Sequence, residues 1–221
     1  MIRYDVRVVN KDGKLVVKKR FVHADQAWNF AEDKLKWQRT VKVIRKNLED
    51  PFKMQIIRPD QWGISDHDAW SKAPGPLDEV FFHTSVTKQL PKSATVAQEK
   101  EQMRAVDSIA HARGFNGFSY SWGILPSGRV YEGRGWLTVE AATLGFNEGS
   151  DSICFIGNTD AFKLTKEQEL AALALIERGQ KFGKLAAKLD LRAHNDVAPK
   201  ACPGRFVTDE MIAGWQRKVN R

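Results

Sequence analysis

Cysteine is scarce in this chain: 221 residues carry only two, Cys154 and Cys202. That excludes the disulfide frameworks of small secreted scaffolds, and a chain of this length can bury a core without them. Cys154 lies in SICFIGN, an apolar run that reads as a buried strand in which cysteine serves as a small hydrophobe. Cys202 lies in a polar loop, so a reduced pair with different roles is expected. Long apolar runs are missing as well. None approaches the roughly 20 residues of a membrane-spanning helix. The N-terminal MIRYDVRVVNKDG alternates apolar and charged residues with no uninterrupted apolar stretch, so no secretory signal is expected and synthesis in a cytoplasm is. Internal repeats and low-complexity tracts are absent too.

The charge present is uneven. Residues 1–50 hold 13 Lys and Arg against 7 Asp and Glu, a balance of +6 out of +8 for the whole chain. This asymmetry places a boundary near residue 50, between a small basic N-terminal module (1–50) and a larger domain (51–221). In the first, residues 2–9 and 14–22 read as strands around the turn signal Asn10-Lys11-Asp12-Gly13. A helix is expected over 24–37 and a strand over 40–44, a β-β-α-β unit. Its cations are interleaved with apolar strand residues and match no nucleic-acid-binding motif, so no specific nucleic acid is expected. A solvated charged face and attraction to an anionic cell wall, weakened by salt, are the two readings of that charge.

Beyond residue 50, breakers at EDPFK and SKAPGP bracket a short strand and loop. Leu77 to Phe82 reads as a buried strand that delivers His83 at its end. Thr95 with Gln98, and Thr165 with Gln168, are capping boxes that start helices running to about Arg113 and Lys181. Residues 118–125 and 129–132 read as a hairpin, 152–157 and 189–193 as strands, and 208–219 as a last amphipathic helix. Strands alternating with helices predict an α/β fold, a central mixed sheet flanked by helices.

The segment AHNDVAPKACPG (193–204) gathers His194, Lys200 and Cys202 in one proline-stiffened loop. With His83 it offers three ligands for Zn²⁺, one short of a structural site, which leaves a coordination position for water. On spacing alone H-x7-C with a distant histidine is a moderate signal, and lone histidines are more often ordinary surface or core residues. His23, His67 and His111 show no ligand spacing, and surface or structural roles are expected for them. His111 falls near a helix C-terminus, where positive charge is favourable.

Five separated motifs, in one order, carry a resemblance: IIRPDQWGI (56–64), FFHTSVT (81–87), GFSYSWGILPSGRVYEGRGW (117–136), SICFIGN (152–158) and AHNDVAPKACPGRF (193–206). Over about residues 54–207 the chain resembles the zinc-dependent N-acetylmuramoyl-L-alanine amidases of type 2, a family that includes phage lysis amidases and peptidoglycan recognition proteins. The resemblance implies that fold, Zn²⁺ as cofactor, and His83, His194 and Cys202 as its ligands. It also implies that Tyr120 hydrogen-bonds the bound water or the tetrahedral intermediate. Lys200, two residues before Cys202, would aim the same way in an extended loop and reach the oxyanion. The bland alternatives are a half-buried strand tyrosine and a solvated lysine. Glu132 is the nearest carboxylate by motif for a general base, or it braces Arg134.

The activity that the resemblance implies is that of a monomeric hydrolase cutting peptidoglycan between N-acetylmuramic acid and L-alanine. The expected setting is a phage endolysin, made in the host bacterial cytoplasm and reaching the wall once the membrane is breached. Two alternatives share the fold. Binding-only members typically lack the zinc cysteine, and muropeptide-recycling amidases usually end their ligand set with aspartate; Cys202 argues against both. One departure stands out. Many relatives carry a histidine lining the substrate cleft where this chain has Ala141-Ala142-Thr143.

Overall fold

The computed structural model describes residues 4–9, 15–21, 40–45, 54, 56–64 and 70–221, the first three segments as backbone strands. The chain divides into two compact units, Met1–Lys53 and Met54–Arg221. In the first unit β1 (Tyr4–Val9), β2 (Leu15–Phe21) and β3 (Thr40–Arg45) form an antiparallel sheet in the order β2-β1-β3. Its register pairs Arg7 with Lys18 on one side and with Lys42 on the other. The helix expected over 24–37, the turn expected at 10–13, His23 and His67 lie outside the described residues.

The second unit is a six-stranded mixed sheet in the order β4-β7-β6-β8-β5-β9. Its strands are β4 (Ile56–Ile57), β5 (Leu77–Thr84), β6 (Trp122–Ile124), β7 (Val130–Glu132), β8 (Ser150–Phe155) and β9 (Leu185–Ala193). Only the β6–β7 hairpin is antiparallel. The helices are a single turn, α1 (Pro59–Trp62), then α2 (Val96–Ala112), α3 (Lys166–Lys181) and α4 (Asp209–Val219). The Thr95/Gln98 and Thr165/Gln168 capping boxes both form, and Thr208 caps α4. Gly114 closes α2 at a φ of +82°, a left-handed turn that costs glycine little.

Strand alternation sorts the side chains to two faces. Val80 and Phe82 of β5 and Ile153 and Phe155 of β8 pack under Ile176 of α3 and Trp215 of α4. Trp215 lies 4.9 Å from Phe82, ring to ring. The opposite face meets Met103 and Val106 of α2, and Cys154 belongs to that layer. On this face β5 sets His83 directly beside Cys154.

The sequence reads as strand over 118–125, but only Trp122–Ile124 is strand. The amides of Gly133 and Gly135 both donate to the carbonyl of Ser121, and Arg134 N–H to that of Tyr120, so the hairpin bulges there. Gly133 is required at the bulge, since a Cβ would meet the Tyr120 carbonyl oxygen at 2.5 Å. Tyr120 therefore precedes the strand rather than lying in it. The last strand is longer than expected, starting at Leu185.

Candidate metal centre

Three strand ends and one loop build the site. The parallel pairs β8–β5 and β5–β9 set Phe82 beside Ala193, so His83 at the end of β5 meets His194, which starts a short 3-10 turn (His194–Asp196) after β9. The loop from 194 folds back on itself: Asn195 N–H donates to the carbonyl of Cys202 at 2.9 Å, and Asp196 Oδ2 accepts from Ala193 N–H at 2.8 Å. Its far end is pinned by Thr159, whose hydroxyl donates to the carbonyl of Pro203, and by Asp160, which accepts from Arg205 N–H. Gly204 lies so close to Thr159 and Asp160 that a Cβ would meet their backbone at 2.7–2.8 Å.

The result is a cluster in which one ligand atom each from His83, His194 and Cys202 lies within 4.8 Å of the others. The two imidazole centroids are 4.6 Å apart. His83 Nδ1 is 3.6 Å from Cys202 Sγ. Tetrahedral zinc with N and S bonds of about 2.1 and 2.3 Å puts those two atoms about 3.6 Å apart, so the residues fit that ion. Their ionisation fits as well. Burial first, then the charges of His194 and Lys200, hold His83 well below the usual histidine range, and burial with Lys200 lowers His194. Both rings are therefore neutral donors at pH 7. Burial pushes the Cys202 thiol up to about 11, against the pull of the Thr84 N–H (3.3 Å) and the Lys200 ammonium. A cation in the cluster is what would make it a thiolate at neutral pH.

Tyr120 is brought to the cluster, its ring 5.2 Å from that of His83. Burial, then the neighbouring sulfurs of Cys154 and Cys202, push its phenol well above the ordinary range, so it is a donor at every working pH. Lys200 is exposed, and the loop around it is a series of bends rather than extended chain, its N–H bonded to the carbonyl of Ala198. The alternation argument for its direction fails, yet its charge still acts on all three residues of the cluster.

Glu132 is not brought there. It shares the face of Val130, opposite to that of His83, and three strand spacings of about 4.8 Å separate β7 from β5. It lines a separate cavity of about 470 Å³ with Arg58, Lys72 and Arg134. Arg134 donates to the carbonyls of Phe118, Val139 and Asn116. His111, in the last turn of α2, sits 3.6 Å from Asp107 one turn earlier.

Two partners of the cluster residues carry no motif of their own. One is the Thr84 amide, which holds the Cys202 sulfur. The other is Thr143, whose Oγ1 lies 3.2 Å from His83 Nε2, placing the Ala141–Thr143 stretch over the site.

A family model described as N-acetylmuramoyl-L-alanine amidase matches residues 73–205. Among curated proteins, peptidoglycan-recognition protein SC2 of Drosophila melanogaster is 30% identical over 162 residues, 72% of this chain and 85% of that one. The peptidoglycan recognition protein of Trichoplusia ni is 32% identical over 162 residues, 72% of this chain and 86% of that one. Among solved structures, bumblebee PGRP-SA superposes with a TM-score of 0.68 at 29% identity, covering 73% of this chain and 95% of that one. Peptidoglycan recognition protein-LE, in complex with tracheal cytotoxin, a monomeric diaminopimelic acid-type peptidoglycan, gives 0.67 at 28%, covering 72% and 92%.

Proposed function

The chain belongs to the N-acetylmuramoyl-L-alanine amidase family, and from that premise we propose that it hydrolyses the amide between the lactyl group of N-acetylmuramic acid and L-alanine of the peptidoglycan stem peptide. The observation that carries this reading is the two-histidine, one-cysteine cluster, three protein donors where a catalytic zinc keeps a fourth position open. When bound, Zn²⁺ supplies Lewis-acid polarisation of the scissile carbonyl and acidifies water.

The protein's own residues do the rest. His83 and His194 enter as neutral imidazoles and Cys202 as the single anionic ligand, so the loaded site keeps a net positive charge. The Tyr120 phenol, protonated throughout the neutral range, donates to the oxygen on which charge develops. The Lys200 ammonium adds a second, solvent-screened positive charge.

Binding without cleavage is the competing reading, supported by relatives named as recognition proteins, one of them in complex with a peptidoglycan fragment. Cys202 supports the amidase reading, because a thiol grouped with two neutral imidazoles is a donor set suited to a metal. Purified peptidoglycan should release new L-alanine amino termini, and a chelator should stop it. Reducing sugar ends, or retention on peptidoglycan with no release, would remove the amidase reading.

The cellular setting we propose is that of a phage endolysin, made in the host bacterial cytoplasm and acting on the wall after membrane breach. It is supported by two free cysteines, one buried in the sheet and one in the cluster. Residues 1–50, with a charge balance of +6, would supply attraction to the anionic wall. Deleting residues 1–50 should flatten the salt dependence of wall binding; unchanged binding and salt slope would leave that module without this role.

A further inference from the structure

His83 is held from two sides. Nδ1 faces the Cys202 sulfur, and Nε2 faces the hydroxyl of Thr143. A neutral imidazole that gives one nitrogen's lone pair to a metal carries its proton on the other, and the partner of that N–H decides which nitrogen is which. Carboxylates and backbone carbonyls are the common partners. Here the group that faces Nε2 is a threonine hydroxyl, 60 residues along the chain from His83.

The loop around Thr143 is built to hold that hydroxyl in place. Thr143 is 1% exposed while Leu144, beside it, is 95% exposed, so the backbone turns one side chain in and the next out. Asn147 Oδ1 accepts from the amides of Ala142 (3.1 Å) and Thr143 (2.8 Å), and Phe146 N–H returns to the carbonyl of Thr143. Below, Ser150 Oγ bonds to Glu140 Oε1 at 2.7 Å and lies 2.9 Å from the Phe146 carbonyl. The Phe146 ring packs 5.3 Å from Phe81, on the same face of β5 as His83. Gly145 makes the turn at a φ of +87°. Every one of these contacts stiffens the segment that ends on one hydroxyl.

We propose that Thr143 is a positioning residue of the metal centre: its Oγ1 accepts the Nε2–H of His83 and holds the ring so that Nδ1, the nitrogen facing the Cys202 sulfur, is the ligand atom. The inference rests on reading the cluster as a zinc site. It gives the Ala141–Thr143 stretch a structural job independent of substrate contacts. Threonine suits it because β-branching restricts χ1 and leaves the hydroxyl few directions to point.

Two measurements decide it. Long-range ¹⁵N–¹H NMR of the wild-type protein should show His83 with its proton on Nε2; a proton on Nδ1 overturns the proposal outright. Zinc affinity by chelator competition should fall about 10–100-fold in Thr143→Val, which keeps the shape and loses the acceptor. Thr143→Ser should recover most of the loss. Wild-type affinity in Thr143→Val, a serine variant no better than valine, or a wild-type protein that binds no zinc would each overturn it. If zinc binds and the tautomer is as expected but no L-alanine terminus is released, the amidase reading fails while this one stands.

Discussion

Cys202→Ser should bind zinc on the order of 10²–10³-fold more weakly, since a four-ligand zinc site is worth about 10–16 kcal/mol in all and each ligand accordingly about 3. Release of L-alanine termini at limiting zinc should fall at least as far. Serine keeps a small side chain for the Thr84 N–H to meet but does not ionise, so the site loses its only anionic ligand. The sheet and its two hydrophobic layers do not depend on this loop residue, and peptidoglycan retention should survive. The same variant tests the cellular setting. Bacteria making the wild-type protein should stay intact until the inner membrane is permeabilised and then clear, whereas those making Cys202→Ser should not. A serine variant that cleaves and clears like wild type would sink the zinc mechanism.

Tyr120→Phe is expected to lower kcat by about 10²–10³-fold, the usual cost of removing one oxyanion donor from a water-poor site. KM and zinc affinity should stay close to wild type, because the role proposed for the phenol is donation to charge that exists only in the transition state. The ring itself remains to pack against His83 and Phe118. Lys200→Met should cost less, about tenfold, because its ammonium is exposed and screened by salt. The difference should narrow further at high ionic strength. Steady-state kinetics on a soluble muropeptide, paired with the chelator competition, reads both variants. Wild-type kcat in Tyr120→Phe would take the tyrosine out of the chemistry and leave it a packing residue beside Cys154.

The candidate site is legible in the sequence to the extent that its members announce themselves by type. His83 follows an apolar strand, and His194, Lys200 and Cys202 share one loop, so ligand chemistry can be read before any fold. Helix starts are equally plain, because Thr95/Gln98 and Thr165/Gln168 satisfy their own backbone amides locally. Sequence and structure part where geometry is not local. Residues 118–125 alternate like a strand, yet the bulge made by Gly133 and Gly135 across the hairpin removes Phe118–Ser121 from it. Glu132 looks like a base by its motif neighbours, and the pleat turns it to the wrong face. An extended loop would aim Lys200 alongside Cys202, and the loop bends.

By itself the sequence determined which residue types were available, where the elements begin, and that a two-histidine, one-cysteine chemistry was on offer. Those are properties of neighbours within a few residues, set by capping, hydrophobic period and side-chain chemistry. The tertiary structure decided which atoms meet: that His83 turns Nδ1 towards a sulfur 119 residues away and Nε2 towards a hydroxyl 60 residues away. Both depend on the register of three parallel strands, β8, β5 and β9, and on a loop laid across them. A shift of one residue in that register would send His83 to the opposite face, among the phenylalanines and Trp215. Register is a property of the whole sheet, held by the two layers of side chains packed on it, and so the meeting of His83 with Cys202 and Thr143 becomes visible only once the chain is folded.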